Sequence, residues 1–260
     1  MTRIPRRLVV PPLSALAVVV VLLATGCTGT GAGTTAPSSG ARTAAPSSAA
    51  GGAPGPSSSL APSLAPGPSL DLSDCPTSQP AALPAGQKRT VTIDTPKGAI
   101  VLEIDGALSP IAAGNVVALA GCGWYDGVVF HRLVPGFVIQ GGDGEFGRVG
   151  ADGKLAEPGR AGSGGPGYTI KDEDVTAKYG RGVVAMARTD APDSVGSQFF
   201  IVLDDQAASV LASYNTYQIV GKVTAGLDVV DAIAAMPNAG EAAGNAAIDP
   251  VPMTKVTVSQ

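Results

Sequence analysis

The run Phe130-His131-Arg132-Leu133-Val134-Pro135-Gly136-Phe137-Val138-Ile139-Gln140-Gly141-Gly142-Asp143 holds the residue types best suited to chemistry in this chain. His131 is the one histidine of the sequence, set directly beside the guanidinium of Arg132. A lone histidine invites a general-base reading. With no close cluster of carboxylates around it, it makes no recognisable zinc site. The glycine-rich stretch 162–167 looks like a phosphate cradle, but no Lys-Ser/Thr pair follows it to hold phosphate and magnesium. Ser163 lies in Ala161-Gly162-Ser163-Gly164-Gly165, which lacks the first glycine of a nucleophile elbow. What remains is a charged donor, Arg132, and an amide, Gln140, on a stretch rich in apolar residues.

The elements that must carry these groups are short. Val91 and Ile93 alternate with polar neighbours, Pro96-Lys97-Gly98 supplies turn chemistry, and Ile100, Leu102 and Ile104 resume the alternation, which is a β-hairpin pattern. Residues 110–121 read as a helix with Ser109 as N-cap, Pro110 at its first position and Gly121 as its stop. Strands are expected over 128–132, 137–140, 182–187, 199–202, 218–220 and 254–258, and a second helix over 227–236, ended by Pro237. The first and last strands are natural partners. Many short strands with two separated helices point to a mainly β fold, a closed antiparallel barrel capped at its ends.

Three further blocks follow the first in sequence: GVVAMA over 182–187, GSQFFI over 196–201 and VGKV over 220–223. Together, and in this order, the four blocks resemble the cyclophilin family of peptidyl-prolyl cis-trans isomerases. The resemblance implies a closed eight-stranded antiparallel barrel with two capping helices, rotation about Xaa-Pro bonds, no cofactor and no metal. It implies that Arg132 acts on the prolyl nitrogen, with Phe137 and Gln140 beside it as catalytic residues. Met186, Phe200 and Leu211 would complete the proline pocket, with Ala187, Arg188, Gln198 and Tyr217 as further substrate contacts and Gly162 lining the neighbouring pocket. His131 becomes a structural neighbour of the arginine, because the reaction moves no proton. The chain departs from the family at four places: Arg188 stands where a smaller amide is usual, Tyr217 falls where many members carry a rim histidine, Val210 replaces a tryptophan tied to cyclosporin binding, and the excursion 144–160 is long.

The N-terminus carries Arg3, Arg6 and Arg7, then an apolar stretch over 13–24 too short for a comfortable membrane span, then Thr25-Gly26-Cys27. This is the layout of an export signal over 1–26. Cys27 resembles the lipid-bearing cysteine of a bacterial lipoprotein box, although Ala24 occupies the place where that box usually has leucine. The alternatives are ordinary cleavage or an uncleaved anchor helix. Arg6-Arg7 raises a twin-arginine route, which its flanking residues fit poorly.

Residues 28–70 are nearly all Ala, Pro, Ser, Gly and Thr, and Arg42 is their one charge. Such a composition cannot bury enough apolar surface to offset its ordering entropy, so 27–87 is expected to be a disordered tether reaching about 45 Å. The domain proper is expected over 88–260, as a monomer. Removing the three signal arginines from the 17 basic residues leaves 14 against 21 acidic ones, a net charge of about −7 that argues against nucleic acid as a partner. Cys75 and Cys122 remain as an even pair, either a disulfide of an exported protein or two free thiols. The expected partners are proline-containing peptides, exported polypeptides that are unfolded or still folding, and a membrane reached through the lipid. Two rival readings stay open: a module that binds proline-rich or unfolded chains with little turnover, and a surface spacer.

Overall fold

The computed structural model describes residues 70–260. The export signal, Cys27 and most of the expected tether lie outside the described residues. Eight strands and three α-helices make up the described chain: β1 (Lys88–Thr95), β2 (Gly98–Asp105), α1 (Pro110–Gly121), β3 (Phe130–Val134), β4 (Val138–Gly141), β5 (Val183–Met186), β6 (Phe199–Val202), α2 (Asp205–Tyr214), β7 (Ile219–Ala225), α3 (Leu227–Ala234) and β8 (Lys255–Ser259).

The strands form one antiparallel sheet in the order β3-β4-β6-β5-β7-β2-β1-β8. The alternation read in β1 and β2 buries Val91, Ile93, Ile100, Leu102 and Ile104 on the concave face. β1 also pairs with β8, as the sequence suggested. The expected closed barrel is not formed: the sheet curls but stays open between its outer strands, β3 and β8. Three bonds cross this seam, from the Phe130 N–H to the Val251 carbonyl (3.0 Å), from the Met253 N–H to Val128 (2.8 Å) and from the Gly127 N–H to Met253 (2.7 Å). The one bridge there among the described residues, Val129 with Pro252, lies outside both strands, ahead of β3 at Phe130 and of β8 at Lys255, so the two outer strands share no ladder.

The helix count is also corrected from two to three. α2 packs Ala207, Ala208 and Leu211 over the outer face of the sheet, against Val138, Ala185, Phe200, Val202 and Ile219. This second apolar cluster carries the candidate site. In α1, Ser109 holds the N-cap position without a side-chain bond. The work falls to Glu173, whose two oxygens accept from the Ile111 and Ala112 N–H groups at 2.8 and 2.9 Å. A carboxylate at a helix N-terminus satisfies free donors and complements the dipole.

Packed chain begins before the expected boundary at Lys88. Leu83 is buried in the main core and donates its N–H to Pro110, and the Gln79 side chain accepts from the Lys171 N–H. A Cβ on Gly114 would lie 2.2 Å from the Ala81 carbonyl, so α1 needs glycine there to let this segment lie against it. A disulfide joins Cys75 to Cys122 just past α1, across a separation of 47 residues. Closing a loop of that length restrains the unfolded chain by about 2–4 kcal/mol. Cys122→Ser is therefore expected to lower the thermal midpoint by roughly 5–15 °C in calorimetry with the peptide isomerisation rate unchanged. An unmoved midpoint would mean that the bond contributes no stability.

Candidate active site

The β3–β4 hairpin turns at Pro135-Gly136, where Gly136 adopts φ +67°, and the Phe137 N–H bonds the Val134 carbonyl. Its register sets Arg132 opposite Gln140, Gln140 opposite Phe200 on β6, and Phe200 opposite Ala185 on β5. One row across three strands thus presents a guanidinium, an amide and an aromatic ring side by side.

Beneath that row lies a cavity of about 190 Å³, walled by Phe137, Val138, Phe200 and Leu211, with Arg132, Gln140, Ala187, Arg188 and Tyr217 around it. Phe200 and Tyr217 meet edge to face at 5.4 Å. The Tyr217 backbone is fixed by the Tyr179 hydroxyl, which donates to its carbonyl at 2.8 Å and accepts from its N–H at 3.1 Å. A larger cavity of about 380 Å³ adjoins, lined by Gly162, Gly164, Tyr168 and Ser194 and sharing Gln140, Ala187 and Arg188 with the first.

Hydrogen bonds fix the direction of every amide between these cavities. The Gln198 Nε2 donates to the carbonyls of Gly162 and Gly164, both at 2.9 Å, so its Oε1 must face the other way. There it accepts from Gln140 Nε2 at 3.0 Å. Gln140 in turn presents Oε1 to Arg132 Nη1 at 3.3 Å, while Arg132 Nε donates to the Gly244 carbonyl at 3.2 Å. Two guanidinium nitrogens are thereby tied down, and Nη2 makes no hydrogen bond among the described residues. Burial pulls the Arg132 pKa below its ordinary value, with Tyr217 acting in the opposite sense. A guanidinium still keeps its charge at neutral pH. The arrangement can hold a small apolar ring while offering a fixed cationic donor at its edge.

A family model described as cyclophilin type peptidyl-prolyl cis-trans isomerase matches residues 90–258. The chain belongs to the cyclophilin family. A probable peptidyl-prolyl cis-trans isomerase of Brucella abortus (strain 2308) is 36% identical over 175 residues, covering 67% of this chain and 84% of the relative. One of Streptomyces antibioticus is 37% identical over 148 residues, covering 55% of this chain and 82% of the relative. The solved structure of a cyclophilin-type isomerase of Cryptosporidium parvum, in the presence of the dipeptide Ala-Pro, superposes with a TM-score of 0.52 at 28% identity, covering 66% of this chain and 99% of that one. This protein is thus a peptidyl-prolyl cis-trans isomerase.

Within this cyclophilin domain the expected residues gather around the two cavities, with one exception. Met186 is fully buried in the main core and lines neither cavity. Strand alternation explains it: Ala185 faces α2, so its neighbour Met186 faces the opposite side. The wall place falls to Val138, which the sequence reading missed although it lies two residues from Gln140 and hence on the same face. Arg188 reaches the site but spends its cation on its own chain, pairing with Asp172 at 3.1 Å and donating to Thr189 and Ala191. Val210 points outward on α2 and is 46% exposed.

His131 lies behind the site. Gly162 packs against it so closely, at φ +95°, that a Cβ there would come 2.9 Å from the imidazole. Burial pushes the histidine pKa down to about 4, with Arg132 also lowering it and Asp143 and the Val129 carbonyl opposing. The ring is therefore neutral in the fold at neutral pH, and protonation favours the unfolded chain, whose histidine titrates near 6.5. Stability tied to His131 is complete above about pH 6.5 and falls as pH drops toward 4. Between pH 7 and 4.5 this amounts to about 2–3 kcal/mol. Urea denaturation at the two pH values should show His131→Phe losing that much less than the wild type; equal losses would contradict a buried neutral ring.

Proposed function

We propose that this cyclophilin is an exported, lipid-anchored isomerase that rotates Xaa-Pro bonds of polypeptides outside the cytoplasmic membrane and so assists their folding. The observation that carries the catalytic part is Arg132 Nη2, which has no hydrogen bond among the described residues, at the rim of the apolar pocket. Amide conjugation sets a rotation barrier of about 18–20 kcal/mol, and an unassisted Xaa-Pro bond turns over in tens to hundreds of seconds. At the twisted transition state the prolyl nitrogen loses conjugation and gains a localised lone pair. A donor fixed beside that nitrogen stabilises the twisted form above either planar form.

Phe137, Val138, Phe200 and Leu211 hold the proline ring away from water, and Gln140 and Gln198 keep the guanidinium in place. The dipeptide present with the Cryptosporidium parvum relative favours proline-containing peptides as ligands. No step needs a proton, which suits a neutral, buried His131. The deciding experiment is the isomerisation rate of a short Xaa-Pro peptide with the purified full chain and its Arg132→Ala variant. A wild-type rate no faster than the uncatalysed one would leave only a binding module.

For the anchor and the compartment, support comes from the arginines and apolar stretch before Cys27 and from the Cys75–Cys122 disulfide, a bond that persists outside reducing compartments. The tether from Cys27 to about residue 70 lets a monomeric domain sample chains near the membrane. Cys27→Ala is expected to move the protein from the membrane fraction to the soluble fraction after ultracentrifugation. Undiminished membrane retention would rule out lipid on that cysteine.

A further inference from the structure

Ahead of Leu70, where the described residues begin, the sequence runs Leu60-Ala61-Pro62-Ser63-Leu64-Ala65-Pro66-Gly67-Pro68-Ser69. Leu-Ala-Pro occurs in it twice, four residues apart. Leu60 and Leu64 are the two large apolar residues between 28 and 69, and each stands two places before a proline. We infer that this protein is its own substrate: the pocket beneath Arg132 binds and turns the Ala61-Pro62 and Ala65-Pro66 bonds of the same chain. The inference rests on the isomerase reading given above and adds a substrate to it.

The chemistry of the segment matches the site. Each proline offers the ring that Phe137, Val138, Phe200 and Leu211 are placed to enclose. The residue before it is alanine, whose one methyl asks little room at a rim shared by Ala187, Arg188 and Tyr217. The larger cavity shares Gln140, Ala187 and Arg188 with the proline pocket and adds Pro166 and Tyr168. An extended chain advances about 7 Å over two residues, so with a proline in the first cavity the leucine two places ahead can enter the second. Residues 60–69 carry no charge, and nothing in them competes for the Arg132 guanidinium.

The disulfide sets how far the segment can travel. Cys75 is bonded to Cys122, and Pro66 and Pro62 lie 9 and 13 residues ahead of it. At their most extended these lengths span about 30 and 45 Å, whereas a compact domain of about 190 residues is about 40 Å across. Among the described residues the hydrogen bonds of 70–74 stay within their own turn, from the Ser73 N–H to Asp71 and from the Cys75 N–H to Leu72, so the disulfide is the fixed point. A short line of contacts leads from there to the larger cavity. Leu70 lies beside Gly123, Trp124 packs on Gly144, and the adjoining Asp143 accepts from Gly162 and Gly164 of the cavity wall. Attachment through so short a linker gives a millimolar effective concentration, enough to seat a segment that would bind weakly as a free peptide. External chains then compete with it for Arg132.

Cis and trans forms of Ala61 and Ala65 give separate resonances, because an unassisted Xaa-Pro bond exchanges over tens to hundreds of seconds. Exchange spectroscopy on the nitrogen-labelled full chain should show both bonds turning about a hundredfold faster than in Arg132→Ala, at a rate unchanged by tenfold dilution. Leu60→Gly combined with Leu64→Gly should cut that acceleration about tenfold, the worth of one partly buried leucine, and leave the rate on an added short Xaa-Pro peptide no lower. The inference falls if the bonds exchange alike in the wild type and in Arg132→Ala while the added peptide is turned; the isomerase reading then stands alone. If the added peptide is not turned either, both fall. The inference also falls if the acceleration drops in proportion on dilution, since neighbouring copies then do the work, or if the leucine variant exchanges as fast as the wild type.

Discussion

Arg132→Ala is expected to lower kcat/KM on a short Xaa-Pro peptide by about 10²–10³-fold, the usual cost of deleting one preorganised donor, while the domain stays folded. Arg132 sits on the outermost strand, β3, and its side-chain bonds go to Gly244, on the surface, and to Gln140, which keeps its bond to Gln198. Little stability is therefore lost with it. The loss should fall on kcat with KM nearly unchanged, because the donor matters only once the prolyl nitrogen has become a localised base. Arg132→Lys is a sharper case. One ammonium cannot hold Gly244 and Gln140 and still reach the substrate, so the charge alone should restore only about tenfold over alanine. A drop of less than tenfold in Arg132→Ala, or a drop confined to KM, would place the chemistry elsewhere in the pocket.

The sequence made the local patterns legible. The alternation of Val91 to Ile104 reports a strand pair buried on one face, and Pro110 and Gly121 bound a helix that the fold keeps. Arg132, Phe137 and Gln140 could be placed because they belong to one hairpin, whose register follows from a tight turn. What escaped depends on contacts distant in sequence. α2 buries only Ala207, Ala208 and Leu211 and exposes Val210 and Tyr214, too weak an apolar stripe to announce a helix. Its ends did carry a signal, in Asp204, which accepts from the Ala207 N–H at 2.7 Å, and in Asn215, which adopts φ +50°. Glu173 as the cap of α1 lies 62 residues from Ile111, and no local rule reaches that far. The open seam escaped as well, since Val129 meets Pro252 outside both outer strands and neither strand's own pattern reports that contact. Met186 was misplaced because its block matched a pattern while its strand face did not.

Asp143→Ala should be the most destabilising single change near the site, costing about 3–5 kcal/mol, and it should also slow catalysis. Asp143 is fully buried, and its carboxylate accepts four backbone N–H groups. Glu145 and Phe146 reach Oδ1 at 3.0 and 2.9 Å, and Gly162 and Gly164 reach Oδ2 at 2.7 and 2.9 Å. Removing it strands donors that water cannot readily reach, and bonds to an ionised acceptor are worth more than neutral ones. The functional loss comes through Gly162 and Gly164, whose N–H groups hold Asp143 and whose carbonyls hold Gln198. With that loop released, Gln198 loses the partners that set its direction, and Gln140 and Arg132 lose theirs in turn. Asp143→Asn separates the two effects. Its oxygen can serve one pair of N–H groups, but its amide must then face the other pair, donor to donor. If the oxygen stays with Gly162 and Gly164, stability drops by about half as much and kcat is spared; if it turns to Glu145 and Phe146, kcat falls with stability. Denaturation midpoints and kcat for both variants, measured at a temperature where each is folded, decide between these. A loss below about 1 kcal/mol in Asp143→Ala would mean that the loop is held by other contacts, and that Arg132 owes its position to Gly244 alone.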